Sequence, residues 1–341
     1  VSSVEGGVER AAKNMKKQIT VIALCAMLLA LCVSAEAQQP TRVPRIGHLN
    51  APSLSALAYR TEAFRKGLGQ IGRIEGKNIL IEWRSAEGKL DRLPELAAEL
   101  VRLKVEIIVS TGPTVTRAAK EATSTIPIVM AFDPNPVGNG FVSSLARPGG
   151  NITGLSSLAP EISGKQLELL KELVPTLSRI AVFGTTTVPG SMQAFKALES
   201  AAGAFGVKLQ FLDILARRDI ESAFREANKG RAGAALVLTS AVLANHRPEI
   251  ADLAIKSRLA VMYFRSEFVE DGGLIAYGVS VTDLDRRAAT YVDKILRGAK
   301  PAGLPVEQPM KFEFIVNLKA AKQIGLTIPP NVLARADRVI R

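Results

Sequence analysis

Apolar positions recur along this chain in two rhythms. Short runs of four to six read as strands, and longer stretches with an apolar residue every third or fourth position read as helices. From residue 45 the predicted order is strand 45–49, helix 54–71, strand 78–83, helix 90–103, strand 105–109, helix 115–122 and strand 126–131. The stripe at 90–103 is the strongest, with Leu93, Leu96, Ala97, Leu100 and Leu103 on one face. Strands alternating with helices predict a parallel sheet with right-handed crossovers and helices on both sides. A short helix at 137–145 and a strand at 151–155 are expected to complete it.

The rhythm then restarts. Helices are predicted at 163–173, 189–205, 219–228 and 246–257, and strands at 179–183, 207–212, 234–238 and 259–263. A strand at 274–277, an amphipathic helix at 283–296, a strand at 311–316 and a helix at 318–324 follow. Breaker clusters at 147–151, 271–273 and 300–309 are where the chain is expected to pass between lobes, since Gly and Pro disfavour helix and central strand. The expected fold class is therefore α/β, with two doubly wound parallel-sheet lobes joined by three crossovers. Lobe 1 is read as 44–157 with 274–300, and lobe 2 as 158–273 with 310–341.

The first 37 residues read differently. Met15, Lys16 and Lys17 open a basic segment, residues 19–33 are apolar, and Ala35-Glu36-Ala37 gives the small-x-small pattern before a cut at Gln38. This predicts a cleavable signal peptide starting at Met15, with residues 1–14 an over-extended start, and a periplasmic destination. The apolar run falls short of the about 20 residues a membrane span needs. An uncleaved N-terminal anchor is the alternative. Both cysteines, Cys25 and Cys32, lie inside this segment, and each follows a leucine, which disfavours lipid attachment. The expected mature chain has no disulfide, no thiol nucleophile and no Cys-based metal site.

Charge and composition narrow the picture further. The formal net charge is +12, and removing residues 1–37 takes away four basic and three acidic side chains and leaves +11. The basic residues are scattered, in pairs such as Arg217-Arg218 and Arg286-Arg287, and aromatics make up 5%. Nucleic-acid binding calls for clustered basic residues, so a solvated basic surface is the better reading and no nucleic-acid partner is expected.

Little in the sequence points to catalysis. Outside the first 37 residues, the two histidines His48 and His246 sit in no metal-ligand spacing. His48 falls inside the first strand and reads as a satisfied core residue, and His246 as a helix N-terminal surface residue. There is no Gly-x-Ser-x-Gly elbow or phosphate-binding loop, so no enzyme activity, metal or cofactor is expected.

What remains is a row of small polar residues at predicted strand ends. They are Asn50 and Ser53; Ser110, Thr111 and Gly112; Asp133 and Asn135; Thr185 and Thr186; Thr239 and Ser240; Arg265 and Glu267; and Tyr277. Ligands of open parallel sheets sit beyond the carboxyl ends of the strands, where helix N–H groups can meet a carboxylate. Singly, each Ser, Thr or Asn also reads as a helix cap. As a set they are expected to line a cleft.

The segments GLGQIGRIEGKNILIEWRSAEG (67–88), LPELAAELVRLKVEIIVSTG (93–112), ATSTIPIVMAFDP (122–134), VGNGFVSSLARPGGNITGLS (137–156) and YVDKILRGAKPAGLPVEQPMKFEFIVNLKAAKQIGLTIP (291–329) strongly resemble the ABC transporter substrate-binding protein family. The likeness runs from about Arg45 to Arg341. It implies a type I periplasmic-binding-protein fold and a monomeric receptor that closes on a small-molecule ligand and delivers it to an ABC permease in the inner membrane. Relatives that bind tryptophan, phenylalanine or tyrosine imply a carboxylate-bearing ligand, with an aromatic or branched amino acid first. The family usually has Asp-Pro-Val where this chain has Asn135-Pro136-Val137, with Asp133 two residues earlier. A periplasmic sensing subunit for a signalling partner, or a secreted α/β enzyme, are the alternatives.

Overall fold

The computed structural model describes residues 13–22, 43–157 and 159–341. The chain falls into two compact units, Val1–Val43 and Pro44–Arg341. In the first, residues 13–22 form a helix (α1). The apolar residues 23–33, both cysteines and the expected cleavage site lie outside the described residues. Among the described residues no helix is long and apolar enough to cross a membrane.

The second unit is built on two sheets. The first has five parallel strands in the order β2-β1-β3-β4-β5. These are β1 (Arg45–Asn50), β2 (Leu80–Ser85), β3 (Ile107–Thr111), β4 (Ile128–Asp133) and β5 (Ile152–Ser156), connected by helices α2 (Ala58–Gln70), α3 (Leu93–Arg102) and α4 (Pro113–Ala122). Every residue of β3, β4 and β5 is buried. That explains why their sequences run apolar without alternating, because both faces are covered. Leu96, Leu100, Val115 and Ile128 belong to the core on the α3 and α4 side, and Phe64, Leu68, Val109, Leu284 and Val292 to the core on the other.

The second sheet has seven strands in the order β12-β11-β10-β9-β8-β6-β7. Its elements are α5 (Ala159–Leu173), β6 (Arg179–Gly184), α6 (Pro189–Ala204), β7 (Lys208–Asp213), α7 (Arg218–Lys229), β8 (Ala234–Val237), α8 (Ala241–Asn245), α9 (Arg247–Lys256), β9 (Ala260–Tyr263), α10 (Glu267–Glu270) and β10 (Ile275–Val279). After α11 (Val281–Leu296), which packs on α2 of the first sheet, come β11 (Phe312–Asn317), α12 (Leu318–Ile324), α13 (Pro330–Leu333) and β12 (Arg338–Ile340). The sheet is parallel except where β10 meets β11. Asn317 caps α12 by accepting the Ala320 N–H, as a helix-starting Asn should.

Three expectations change. The strand read at 274–277 with lobe 1 is β10, which pairs with β9 and β11 of the second sheet; backbone pairing, which the hydrophobic pattern does not encode, decides this. The chain crosses between sheets after β5, at Ser280 between β10 and α11, and after Glu307, which bridges to Leu155 at the β5 edge. The clusters at 147–151 and 271–273 are therefore turns within one layer. Finally, residues 137–145 form turns instead of a helix. Gly138 and Gly140 raise the cost of ordering a helix there, and Gly140 takes a positive φ of 70° that helical residues do not.

Candidate functional site

Each sheet reverses its strand order once, between β1 and β3 in the first and between β6 and β8 in the second. Such switch points leave a crevice beyond the strand ends, because neighbouring connections leave in opposite directions. The loops after β1, β3, β8 and β9 meet in one cavity of about 430 Å³, open mouth included. Its first-sheet wall includes Pro52, Thr111, Gly112 and Phe132, and its second-sheet wall includes Thr239, Ser240, Phe264 and Arg265. A second cavity of about 420 Å³ shares Phe132, Thr239, Phe264 and Arg265 with it.

The chemistry of the first wall follows from local sequence. Gly112 takes φ 92°, so the chain turns sharply out of β3, and Pro113 then fixes the first helical φ of α4. Gly112 has no side chain to cap the helix, and Thr116 donates its N–H to Gly112 O at 3.0 Å. The preceding N–H groups, of Thr114 and Val115, belong to residues that line the cavity. Arg60 of α2 lines the same space, is 4% exposed, and lies over the Phe132 ring at 5.0 Å. Its Nε and Nη2 donate to the two oxygens of Asp285 on α11 at 2.6 and 2.9 Å. Burial pulls a guanidinium towards its neutral form, and the Asp285 charge more than offsets that, so Arg60 stays charged.

On the opposite wall Arg265 is 5% exposed and lies over the Phe264 ring at 5.0 Å. Its Nε is buried without a hydrogen-bond partner. Glu267 Oε2 stands 4.0 Å from that nitrogen, too far for a hydrogen bond. Burial lowers the Arg265 pKa, and Glu267 pushes it back up. Burial raises the Glu267 carboxyl, but Arg265 and the hydrogen bond from Tyr59 outweigh it and hold the group below its usual value. Thus Nε and Nη2 of Arg60 are taken up by Asp285, whereas Nε of Arg265 has no hydrogen-bond partner.

Several bonds join the two sheets' layers around the cavity. The Tyr59 hydroxyl on α2 donates to Glu267 on α10. Asn135 Nδ2 donates to Gln193 on α6. Asn139 Oδ1 accepts the Gly190 N–H at 2.8 Å, while its Nδ2 donates to Asp133 Oδ1 at 2.8 Å. These contacts tie the two layers to each other.

Of the residues expected from sequence, Thr111, Gly112, Thr239, Ser240 and Arg265 line the first cavity. Ser240 Oγ is also tied to Thr185 Oγ1 at 2.7 Å, and Thr185 is buried behind it. The others lie elsewhere. Asn50 is buried against His48 and the Arg84 carbonyl, and Ser53 caps the turn at Ala56. Ser110 bonds Thr116 at 2.8 Å inside the core. Asp133 is buried and Asn135 caps the following turn through the Gly138 N–H. Thr186 is exposed and bonds Asp213. Glu267 lines a separate cavity, and Tyr277 stacks with Phe312 at 6.1 Å. His48 is buried between Trp83 and Phe64, and burial together with Arg60 and Arg65 pushes its pKa down to about 3, so it is neutral. Sequence reading missed Arg60, Phe132 and Phe264. Phe132 and Phe264 stand at strand ends and could have been found by that rule; Arg60 lies within a helix and gives no local signal. Among the described residues no group of three His, Cys, Asp or Glu could hold a metal ion.

A family profile described as ABC transporter substrate binding protein matches residues 49–340. A tyrosine-binding protein from Clostridioides difficile (strain R20291) is 25% identical over 265 residues, covering 78% of this chain and 76% of that protein. Among solved structures, a conserved domain protein from Vibrio cholerae superposes with TM-score 0.82 at 28% identity, covering 87% of this chain and 100% of that one. A Streptococcus pneumoniae ABC domain in complex with L-Trp superposes with TM-score 0.79 at 25% identity, covering 86% and 100%.

Proposed function

We propose that this chain, which belongs to the ABC transporter substrate binding protein family and has the type I periplasmic-binding-protein fold, is the exported receptor of an ABC importer. Its ligand is a small carboxylate-bearing molecule with an aromatic or branched apolar body, the class that contains the aromatic amino acids. The ligand enters between the two sheets' layers, touches both, and shifts the population towards the closed arrangement that a permease recognises. The protein binds its ligand without turning it over.

One observation carries the reading: a cavity at the facing switch points of both sheets, with a buried guanidinium whose Nε has no partner. Arg265 and the N–H groups of Thr114 and Val115 take the carboxylate. Phe132 and Phe264 hold the apolar body, and Thr111, Thr239 and Ser240 add hydroxyls. In this reading Asn50, Ser53, Ser110, Asp133, Asn135, Thr185, Thr186, Glu267 and Tyr277 shape or latch the cleft without touching ligand. The relative named a tyrosine-binding protein and the solved neighbour in complex with L-Trp support a carboxylate with an aromatic body.

A thermal-shift screen of purified protein against amino acids and aromatic or branched carboxylic acids tests this. A true ligand at about 100 times its dissociation constant adds about 2.7 kcal/mol. Arg265→Met should abolish the shift. If no member of either set stabilises the protein, the receptor reading fails.

A further inference from the structure

Among the described residues, the cleft walls hold cationic side chains and no anionic one. No Asp or Glu lines either shared cavity among the described residues. The nearby carboxylates are already committed. Asp285 accepts two hydrogen bonds from Arg60. Glu267 accepts from Tyr59, lies beside Arg265 and lines a different cavity. Asp133 is wholly buried, bonded to Asn139 and the Asn135 N–H, and lines neither. Against these stands Arg265, 5% exposed, with a buried Nε that lacks a partner.

An amino acid would bring two charges into this space. Its carboxylate would find Arg265, but its ammonium would leave water and meet, among the described lining side chains, hydroxyls, two amides, the Arg60 and Arg265 cations, and aromatic or aliphatic walls. A desolvated charge without a counter-charge is costly, so the ammonium would subtract from binding. We infer that the ligand of this cleft is an aromatic or arylalkyl carboxylate that lacks an α-ammonium group, held by Arg265 through its carboxylate and by Phe132 and Phe264 through its ring. This rests on the receptor reading above and narrows it. The neutral amide of Asn245, whose Oδ1 is buried without a partner on the cavity wall, accepts a hydroxyl or ring N–H of the ligand.

Isothermal titration of the purified protein decides the matter with matched probes: 3-phenylpropanoate against L-phenylalanine and 2-phenylethylamine, and indole-3-propanoate against L-tryptophan and tryptamine. In at least one series the acid binds at least about tenfold more tightly than its amino acid, and the amine does not bind. Arg265→Gln weakens the acid at least about tenfold, the loss of a charged anchor, while the far-ultraviolet spectrum and melting behaviour stay those of a folded protein. Asn245→Asp, which puts a carboxylate on the cavity wall, moves the preference back towards the amino acid. An amino acid that binds as tightly as its acid, or more tightly, overturns the inference and leaves the receptor reading standing. Binding of neither class overturns the inference, and the wider thermal-shift screen then decides the receptor reading.

Discussion

Asp133→Asn gives the sharpest physical test of the structure. Asp133 ends β4 and is fully buried. Its Oδ1 accepts the Asn135 N–H at 2.9 Å and Asn139 Nδ2 at 2.8 Å, while Oδ2 has no partner. Burial raises its pKa from 3.8 to about 7, against the opposing pull of the two hydrogen bonds and the more distant Arg117 charge. The unfolded chain releases this proton near pH 4 and the folded chain holds it until near pH 7. Between those values the native state binds more protons, so stability falls as pH rises, and the loss is complete above the folded pKa. A shift of roughly three units corresponds to about 4 kcal/mol, and roughly two of those units, about 3 kcal/mol, lie between pH 5 and pH 7. Asn cannot titrate. Its Nδ2 takes the place of the unpartnered Oδ2, and that cost is the same at every pH, so the slope is diagnostic and the offset is not. Urea denaturation of both proteins from pH 5 to 8 reads it, because all other titrations cancel in the difference. The wild type should lose about 3 kcal/mol relative to the variant over this range. Parallel stability curves would refute the reasoning.

Other changes test the remaining structure. Arg60→Met leaves Asp285 buried without its partner and should cost about 3–5 kcal/mol in urea denaturation, while adding Asp285→Leu should recover most of that; a double variant no better than the single one would count against the pair. Gly154→Ala puts a Cβ 2.6 Å from Met130 N at a φ of 135°, where neither strand backbone can yield cheaply. A loss of about 1–3 kcal/mol is expected by calorimetry, and an unchanged melting temperature would contradict the strand approach. Tyr59→Phe removes the hydroxyl joining α2 to Glu267. Small-angle scattering should then show a larger radius of gyration for the ligand-free protein, and an identical one would deny this contact a part in closure.

The sequence by itself determined most of the elements. Strand and helix periods are local, so β3, β4 and the stripe of α3 follow from side chains that must be buried on known faces. The rule that ligands gather beyond strand ends also put Thr111, Gly112, Thr239, Ser240 and Arg265 among the candidates, and the cavity brings those five together. Only the tertiary structure could assign β10 to the second sheet, because strand pairing joins residues remote in sequence through backbone groups common to all residues. The same holds for charge. Arg60 meets Asp285 and Tyr59 meets Glu267 across more than two hundred residues, and Asp133 looked like a ligand group until its carboxyl was found buried. Which guanidinium is satisfied and which still lacks a partner depends on distances of a few ångströms between distant segments, and hydrophobic periodicity carries no record of them.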